Sequence, residues 1–291
     1  KNLQRASPIA LSKVSVSICL VTYALGVMVS RRTFWIVAVV MSSTVFAYGW
    51  GVKRFFARPV SAVQPQQRDR LSVKDGRPLA SAILTLETRF NRIITYEDPP
   101  LVHPDDTSDV TESVRRDLHK YAPGKAPRVI VPRGGELSVE FSRNDPVEVV
   151  LSYVLSESER ITPSTTFRTE ETNGIIHVIP QSIKGPTGET VRIGSILDAP
   201  VQLSARERTG MQTLEAWRNA VSTHSKKRII IGAVPFGVFL TYKDDHGISS
   251  QSARDALTEI LTRSGRGRKL SWQLFYDPGQ QIYAINIHSV H

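Results

Sequence analysis

Hydrophobic residues recur at helical spacing soon after residue 77 and then give way to a β-rich stretch. The apolar positions, spaced as i, i+4, i+7 and i+11, are Leu79, Ile83, Leu86 and Phe90. This spacing is typical of one face of an amphipathic helix, and Pro78 suits the first turn, where the N–H that it lacks would have no partner. Residues 92–97 are β-branched and aromatic, and two prolines follow them closely, so the pattern predicts a strand there.

A second helix and a β-hairpin are predicted further along. Residues 144–148 (Asn-Asp-Pro-Val-Glu) have the pattern of an N-cap, a proline at the first helical position and the glutamate of a capping box. Asn173-Gly174 separates two β-rich stretches, residues 165–171 and 175–179, which favours a hairpin with a two-residue loop. That loop would place Glu171 opposite Ile176.

The same order of predicted elements recurs later. A helical stripe precedes the strand at residues 228–231, and Ser252 begins another helix. A final hairpin turns at residues 277–280 (Asp-Pro-Gly-Gln), which would place Tyr276 opposite Gln281. One face of that hairpin is expected to carry Leu270, Trp272, Leu274, Tyr283, Ile285 and Ile287, with Phe275 on the other face.

Both parts of the chain are therefore predicted to run helix, strand, helix, hairpin. The period-two alternation of the hairpins favours mainly antiparallel sheets with one face packed on helices. We expect an α+β fold of two tandem small units, the first at residues 77–181 and the second at residues 203–288. Between them, glycines and prolines interrupt every period, which is typical of a boundary.

Residues 78–97 followed by 146–179 resemble the short N-terminal domain shared by secretins and TonB-dependent receptors. The resemblance implies a small, usually periplasmic α+β sandwich made of a helix, a strand, a second helix and a closing hairpin. Residues 77–288 as a whole are also similar to uncharacterised exported bacterial proteins, which have a stretch like residues 94–100 (Ile-Thr-Tyr-Glu-Asp-Pro-Pro) near the start. The second resemblance implies no known activity.

Two apolar stretches precede these units. Residues 14–29 and 33–52 contain sixteen and twenty residues without a charge, and Ser30-Arg31-Arg32 separates them. Because about 20 apolar residues span a bilayer as a helix, residues 1–52 are predicted to be a signal or transmembrane segment. Residues 53–76 are polar and contain prolines, so they are predicted to be a linker.

Two interpretations of the apolar segment stay open. In the first, Met28 begins a signal peptide that is cleaved after residues 45–47 (Val-Phe-Ala). In the second, one or both stretches remain as transmembrane helices, and a hairpin of two helices would return the C-terminal part to the cytoplasm. We favour export to the periplasm or cell envelope, either cleaved or anchored.

The charge of the chain belongs to its N-terminal segment. The formal net charge is +10, yet residues 1–68 contain nine Lys or Arg and no acid, which leaves 28 basic against 27 acidic residues elsewhere. A nearly neutral folded part argues against nucleic acid as a partner. The one cysteine, Cys19, excludes an intramolecular disulfide framework and a cysteine-rich zinc site.

The sequence assigns no catalytic, cofactor-binding or metal-ligating residue. Its seven histidines contain no pair spaced for metal binding on one helix face, and we expect His177 and His288 on the solvent-facing sides of their hairpins. Neither a nucleophile elbow nor a phosphate-binding loop is present. The acidic stretch formed by Asp98, Asp105, Asp106, Asp109 and Glu112 lacks the glycine and the final glutamate of a calcium loop, so a solvated loop is the better interpretation.

These observations favour a non-catalytic cell-envelope protein that acts as a binding or assembly module. Its partner would be an unknown envelope protein or peptide, with the membrane contacted through the N-terminal segment. The alternatives are an envelope hydrolase that uses the acidic loop around Asp105, and a structural spacer within a secretion or receptor assembly.

The predicted localisation can be tested with a reporter that is active only in the periplasm, fused after Ile287. We expect activity, because the uncharged stretch at residues 33–52 is long enough to direct export or to anchor the chain. A matched cytoplasmic reporter at the same position is expected to be inactive. Activity of the cytoplasmic reporter alone would support the two-helix hairpin instead.

Overall fold

The computed structural model describes residues 67–291. The predicted signal or transmembrane segment at residues 1–52 and the linker at residues 53–66 lie outside the described residues. Within residues 67–291, no helix is both long and apolar enough to cross a membrane. The fold is mixed α+β, in agreement with the predicted fold class.

The first part of the described chain follows the predicted helices closely. Its elements are β1 (Arg68–Asp75), α1 (Pro78–Phe90), β2 (Ile94–Glu97), β3 (Thr107–Asp109), α2 (Thr111–Val114), β4 (Ile130–Pro132), β5 (Gly135–Ser142), α3 (Val147–Ile161), β6 (Thr165–Thr172), β7 (Ile175–Lys184) and β8 (Thr190–Arg192). The predicted capping box of α3 is wrong. Pro146 occupies the N-cap position, and the carboxylate of Asp145 instead accepts a hydrogen bond from the backbone N–H of Ser142.

The second part of the chain contains the remaining elements. They are β9 (Pro200–Leu203), β10 (Arg208–Thr209), α4 (Gly210–Ser225), β11 (Ile229–Ile231), α5 (Phe236–Thr241), β12 (Lys243–Asp244), β13 (Ile248–Ser252), α6 (Ala253–Gly265), β14 (Leu270–Asp277) and β15 (Ile282–Ser289). Ser252 caps α6 as predicted, since its hydroxyl accepts from the N–H of Asp255 at 3.1 Å.

One seven-stranded sheet passes through both parts. Its order is β11-β15-β14-β2-β7-β6, and β8 also pairs with β7. The hairpins β6–β7 and β14–β15 are antiparallel, whereas β11–β15, β14–β2 and β2–β7 are parallel. The expectation of mainly antiparallel sheets, separate in each unit, is therefore wrong. Alternating apolar residues indicate which face of a strand is buried, but they do not indicate its neighbour or its direction.

The hairpins have nearly the predicted registers. Glu171 lies opposite Ile176 as predicted. In the last hairpin, Asp277 lies opposite Ile282 and Tyr276 opposite Tyr283, so the loop is residues 278–281 and the predicted pairing with Gln281 is wrong. The correction moves the pairing by two positions along β15, which leaves every side chain on its predicted face. The predicted apolar face of this hairpin accordingly lies in the core.

Helices pack on both faces of the sheet. The register of β2 and β14 aligns Tyr96 with Gln273 and Glu97 with Leu274, so each aligned pair shares a face. Tyr96 belongs to the core formed with α1 and α3, whereas Leu274 belongs to the core formed with α4 and α6. The two helix pairs therefore lie on opposite faces, offset along the sheet.

Two-stranded ribbons cover the outer sides of the helix pairs. Strand β1 pairs with β5 beside α1 and α3, and β9 pairs with β13 beside α4 and α6. Residues 68–75, predicted as the end of the linker, are thus a strand. They carry only Leu71 and Val73 as alternating apolar residues, which is too short a pattern to distinguish a strand from a linker.

A buried ion pair joins the two parts of the chain. Glu97, at the end of β2, accepts a hydrogen bond from Nε of Arg254 in α6 at 2.8 Å, and both side chains are less than a tenth exposed. Arg254 also lies 2.9 Å from Asp198, and the hydroxyl of Ser195 donates to Glu97. Burial raises the pKa of Glu97, while Arg254 and Ser195 oppose that shift.

We expect Arg254→Met to lower the free energy of unfolding by about 3–5 kcal/mol, because it leaves Glu97 buried without its cationic partner. The double variant Glu97→Gln/Arg254→Met should recover part of this loss. Denaturant unfolding measures both effects. The matched control is Arg160→Met, which breaks the exposed pair with Glu157 and should cost less than about 1 kcal/mol. Equal costs for the two single variants would contradict the structural role of the buried pair.

Candidate functional site

An open sheet surface on the α1 side of the last hairpin forms an elongated trough. Its floor consists of side chains of β14 and β15, and its walls are α1 and β4. Two adjoining cavities compose it, one of about 530 Å³ beside α1 and one of about 480 Å³ beside β4. The floor residues are Gln273, Phe275, Ala284, Asn286 and His288.

The alternation of the last hairpin produces the floor of the trough. Trp272 and Leu274 point into the core with α4 and α6, so Gln273 and Phe275 must point to the other face. Phe275 was predicted on that face. The floor continues to the edge strand β11, where Ile230 lies beside Ala284 and is half-buried.

Arg77 crosses the middle of the trough and contacts both cavities. Its guanidinium carbon lies 4.8 Å from the centre of the Phe275 ring, a cation–π arrangement. Its Nε donates to the buried carboxylate of Asp98 at 2.8 Å, and its Nη2 donates to the carbonyl of Tyr276 at 2.8 Å. Three contacts therefore fix the guanidinium of Arg77 at the centre of this surface.

The end of the trough beside α1 contains a buried carboxylate. Glu87 is 1% exposed, and its two oxygens have different partners. One accepts from the backbone N–H of Ile94 at 2.9 Å, and the other lies 2.6 Å from Nε2 of His288. The prediction that His288 faces solvent is thus only half right, because its ring is partly buried against α1. These bonds hold α1 against the sheet.

The acidic stretch identified in the sequence does not converge on one site. The Asp105 side chain is exposed, whereas Asp106 is buried and accepts from the hydroxyl of Ser164. Hydrogen bonds from Thr111 and Arg128 lower the pKa of Asp109 to about 2. The interpretation as a solvated loop therefore holds for Asp105, Asp109 and Glu112, which are exposed.

It is wrong for Asp98 and Asp106, which are buried because Arg77 and Ser164, distant in sequence, bond to their carboxylates.

One cluster could offer several ligands to a cation within the described chain. Oxygen and nitrogen atoms of Asp244, Asp245 and His246 lie within 4.8 Å of one another. The carboxylate of Asp244 already accepts from the hydroxyl of Tyr242 at 2.8 Å and pairs with Arg263 at 3.0 Å. The cluster is therefore explained by the local turn, and the sequence prediction had not singled it out.

The most important residues of the trough were missed by the sequence prediction, although one signal was present. Glu87 follows Ile83 by four residues, so it lies on the apolar face of the predicted helix. A charged residue on such a face indicates a buried partner. Arg77 had no comparable signal, since its partners Asp98 and Tyr276 are distant in sequence.

No protein-family model, curated protein or solved structure matches this chain.

His177 is a buried histidine in β7 whose lowered pKa makes the stability of the fold depend on pH. The prediction that it faces solvent is wrong, because the ring lies 6.3 Å from that of Trp272 in the interior and is 2% exposed. Its Nδ1 lies 2.7 Å from the hydroxyl of Thr95. Burial, and next the positive charge of Arg254, lower its pKa from 6.5 to about 4.

Below pH 6.5 the unfolded chain gains a proton at His177, whereas the folded protein resists it until about pH 4. The free energy of unfolding should therefore fall between pH 6.5 and 4, by up to about 3 kcal/mol from this residue. Denaturant unfolding of His177→Gln should show a correspondingly smaller fall. The exposed His224→Gln variant should keep the wild-type profile, and an unchanged profile in both variants would refute the assignment.

Proposed function

We propose that this protein is a non-catalytic module of the cell envelope that binds an extended segment of a protein partner in the trough. The observation that supports this proposal most directly is the shape of the surface. On β14 the floor runs from Gln273 to Asp277, five residues that correspond to about 17 Å of strand. An extended segment can lie along this open face with alternate side chains directed at the floor, which differs from the addition of a strand to a sheet edge because β14 is already paired on both sides.

The chemistry of the trough suits a segment that alternates apolar and polar side chains. Phe275 and Ala284 offer apolar contact at the centre of the floor, and Arg77 offers fixed N–H donors above Phe275, its charge being paired with Asp98. Asn286 is partly exposed, and its side-chain oxygen already accepts from the N–H of Ala233 at 2.9 Å. Its amide N–H groups can therefore serve a backbone carbonyl of the partner.

We further propose that the two parts of the chain are tandem copies of one module, similar to the short N-terminal domain of secretins and TonB-dependent receptors. Corresponding helices end in the same way, since Asn91 after α1 and Lys226 after α4 both adopt the left-handed backbone conformation. The next strands begin alike as well. The N–H of Ile94 donates to Glu87, and the N–H of Ile229 donates to the hydroxyl of Ser222.

Both modules also place their strands in the same relation. Strand β2 is parallel to the second strand of the first hairpin, and β11 is parallel to the second strand of the last hairpin. Helices α3 and α6 carry buried serines at the same distance from their starts, Ser158 and Ser264. This recurrence in contacts supports a duplication in which few residues are identical.

The proposed location is the periplasm or cell envelope. Residues 1–52 would direct export or anchor the protein, and the modules would then meet an envelope protein as partner. This part of the proposal depends on the apolar stretches of the sequence and has its own reporter test.

Photo-crosslinking in intact membranes tests the binding function. A photoreactive residue replaces Ala284, which lies on the floor of the trough, or Ala205, an exposed alanine of a loop, as the matched control. We expect a defined adduct from position 284 and none from position 205. Phe275→Ser, which removes the apolar centre of the floor, should reduce the yield at position 284 several-fold.

Mass spectrometry of the adduct should locate the contact in an extended segment of one envelope protein. Equal adducts from both positions would contradict a specific site. Turnover of a peptidoglycan or peptide substrate that is lost in Asp105→Ala would overturn the non-catalytic assignment and favour the hydrolase alternative.

A further inference from the structure

The short helix α5 presents an apolar patch to solvent. Phe236 and Leu240 are four residues apart, which places them on the same side of the helix, and they are 56% and 58% exposed. Within the described residues, no large hydrophobic side chain is more exposed than Leu240. Residues 229–242 contain no charged side chain, so the patch lies within an uncharged stretch. Exposed apolar side chains that adjoin one another indicate an interaction surface.

The opposite side of α5 fixes this patch in place. Phe239 is fully buried in the core with α4 and α6. Gly210, the first residue of α4, approaches it so closely that a Cβ there would lie 3.1 Å from the Phe239 ring. The N–H of Gly210 also donates to the carbonyl of Tyr242, just after α5, at 2.9 Å. Phe236 and Leu240 therefore cannot turn inward unless Phe239 leaves the core.

Helix α5 lies at the end of the sheet where β2 begins. Strand β14 runs parallel to β2, and β15 runs antiparallel to β14, so β15 and its parallel neighbour β11 finish at that end. The carbonyl of Ala233, two residues after β11, accepts from the N–H of Ile287 near the finish of β15 at 2.7 Å. Phe236 follows Ala233 by three residues, which keeps α5 at the same end.

The described chain enters the fold at this end as well. Asp69 in β1 pairs with Arg89 in the last turn of α1, and α1 leads directly into the start of β2. Fourteen residues, 53–66, separate the described chain from the predicted membrane segment. A chain of that length spans at most about 50 Å. An anchor in residues 1–52 would therefore tether the folded part by the end that carries α5.

Exposed cations accompany the patch. The loop between α6 and β14 contains Arg266, Arg268 and Lys269, which are all exposed. The guanidinium carbon of Arg266 lies 5.3 Å from the centre of the Tyr242 ring, so this loop adjoins the segment that follows α5. The turn after Tyr242 adds one fully exposed acid, Asp245, so cations predominate. An apolar patch beside exposed cations is typical of a surface that contacts an anionic membrane.

We propose that α5 docks on the surface of the bilayer. Phe236 and Leu240 enter the boundary between headgroups and acyl chains, while Arg266 and Arg268 contact anionic headgroups. Two large side chains alone bind weakly, and the tether compensates by holding α5 near the bilayer at a high effective concentration. The inference rests on the membrane anchoring proposed for residues 1–52.

Quenching of a fluorophore by lipid tests this contact. The full chain carries Cys19→Ser, so that an environment-sensitive label reacts only with an introduced cysteine, and Thr241→Cys places that label beside Leu240. The protein is reconstituted in vesicles of phosphatidylcholine and phosphatidylglycerol. Brominated acyl chains should quench the label about twofold, because it lies at the depth that the patch reaches.

The matched control is a label at Val114→Cys. Val114 is 56% exposed, as Phe236 is, and it also belongs to a short helix, α2. That helix starts where the N–H of Val110 donates to the carbonyl of Val129, beside β4. A Cβ at Gly279 would lie 3.3 Å from the next carbonyl of β4, so α2 is at the other end of the sheet, with the loop of the last hairpin. Its label should not be quenched.

Variants of the chain labelled at position 241 separate the two kinds of contact. Phe236→Ser/Leu240→Ser should lower the quenching to the level of the control label, whereas Val114→Ser should leave it unchanged. All three side chains are exposed, so denaturant unfolding should show an unaltered midpoint. Arg266→Gln/Arg268→Gln should abolish the extra quenching that phosphatidylglycerol produces over phosphatidylcholine alone, as should high salt.

Flotation of the vesicles distinguishes the anchor from α5. A chain that floats with the vesicles but shows no quenching at position 241 would refute the docking of α5 and leave the anchoring intact. A chain that does not float would refute both. Equal quenching at positions 241 and 114 would contradict a specific contact. Energy transfer between position-241 labels on separate copies, without quenching by lipid, would assign the patch to a second copy of the chain.

Discussion

The structure depends on two consecutive carboxylates at the end of β2. In a strand, neighbouring side chains point to opposite faces, so Glu97 and Asp98 diverge. Glu97 reaches Arg254 of α6 on one face, while Asp98 reaches Arg77 before α1 and the N–H of Tyr276 in β14 on the other. The parallel pairing between β2 and β14 is short, so its backbone hydrogen bonds alone would hold the two parts of the sheet together only weakly. The two carboxylates connect it to a helix on each side and make one continuous sheet.

The two helix pairs are offset on the sheet, which leaves part of each face uncovered. Each helix pair packs mainly on strands of its own part, α1 on β2 and α6 on β14. Beyond α1, the last hairpin keeps an open face, which is the trough. Beside α6, the face of β2 leaves a cavity that Trp272 lines. The two surfaces lie on opposite faces of the sheet and share the same physical cause.

The sequence predicted local elements well because their signals are local. Helical spacing located α1, α3, α4 and α6, and Asn173-Gly174 set the register of the first hairpin. It did not predict the shared sheet, because β2 pairs with the distant strand β14 through the backbone, and the ion pair beside that pairing joins residues 157 positions apart. The candidate site could be anticipated only in part, through the exposed face assigned to Phe275. Its fixed cation, Arg77, depends on a carbonyl 199 positions away.

The polar groups of the trough are largely fixed by the protein itself, which bears on how it would bind. Arg77 is held by Asp98 and by a carbonyl, and Glu87 is held by His288 and a backbone N–H. A partner therefore meets side chains whose conformational entropy has already been lost on folding, which reduces the cost of association. The same bonds connect the trough to the joint at β2. A change that loosens Asp98 should consequently weaken binding in the trough, although Asp98 does not form its floor.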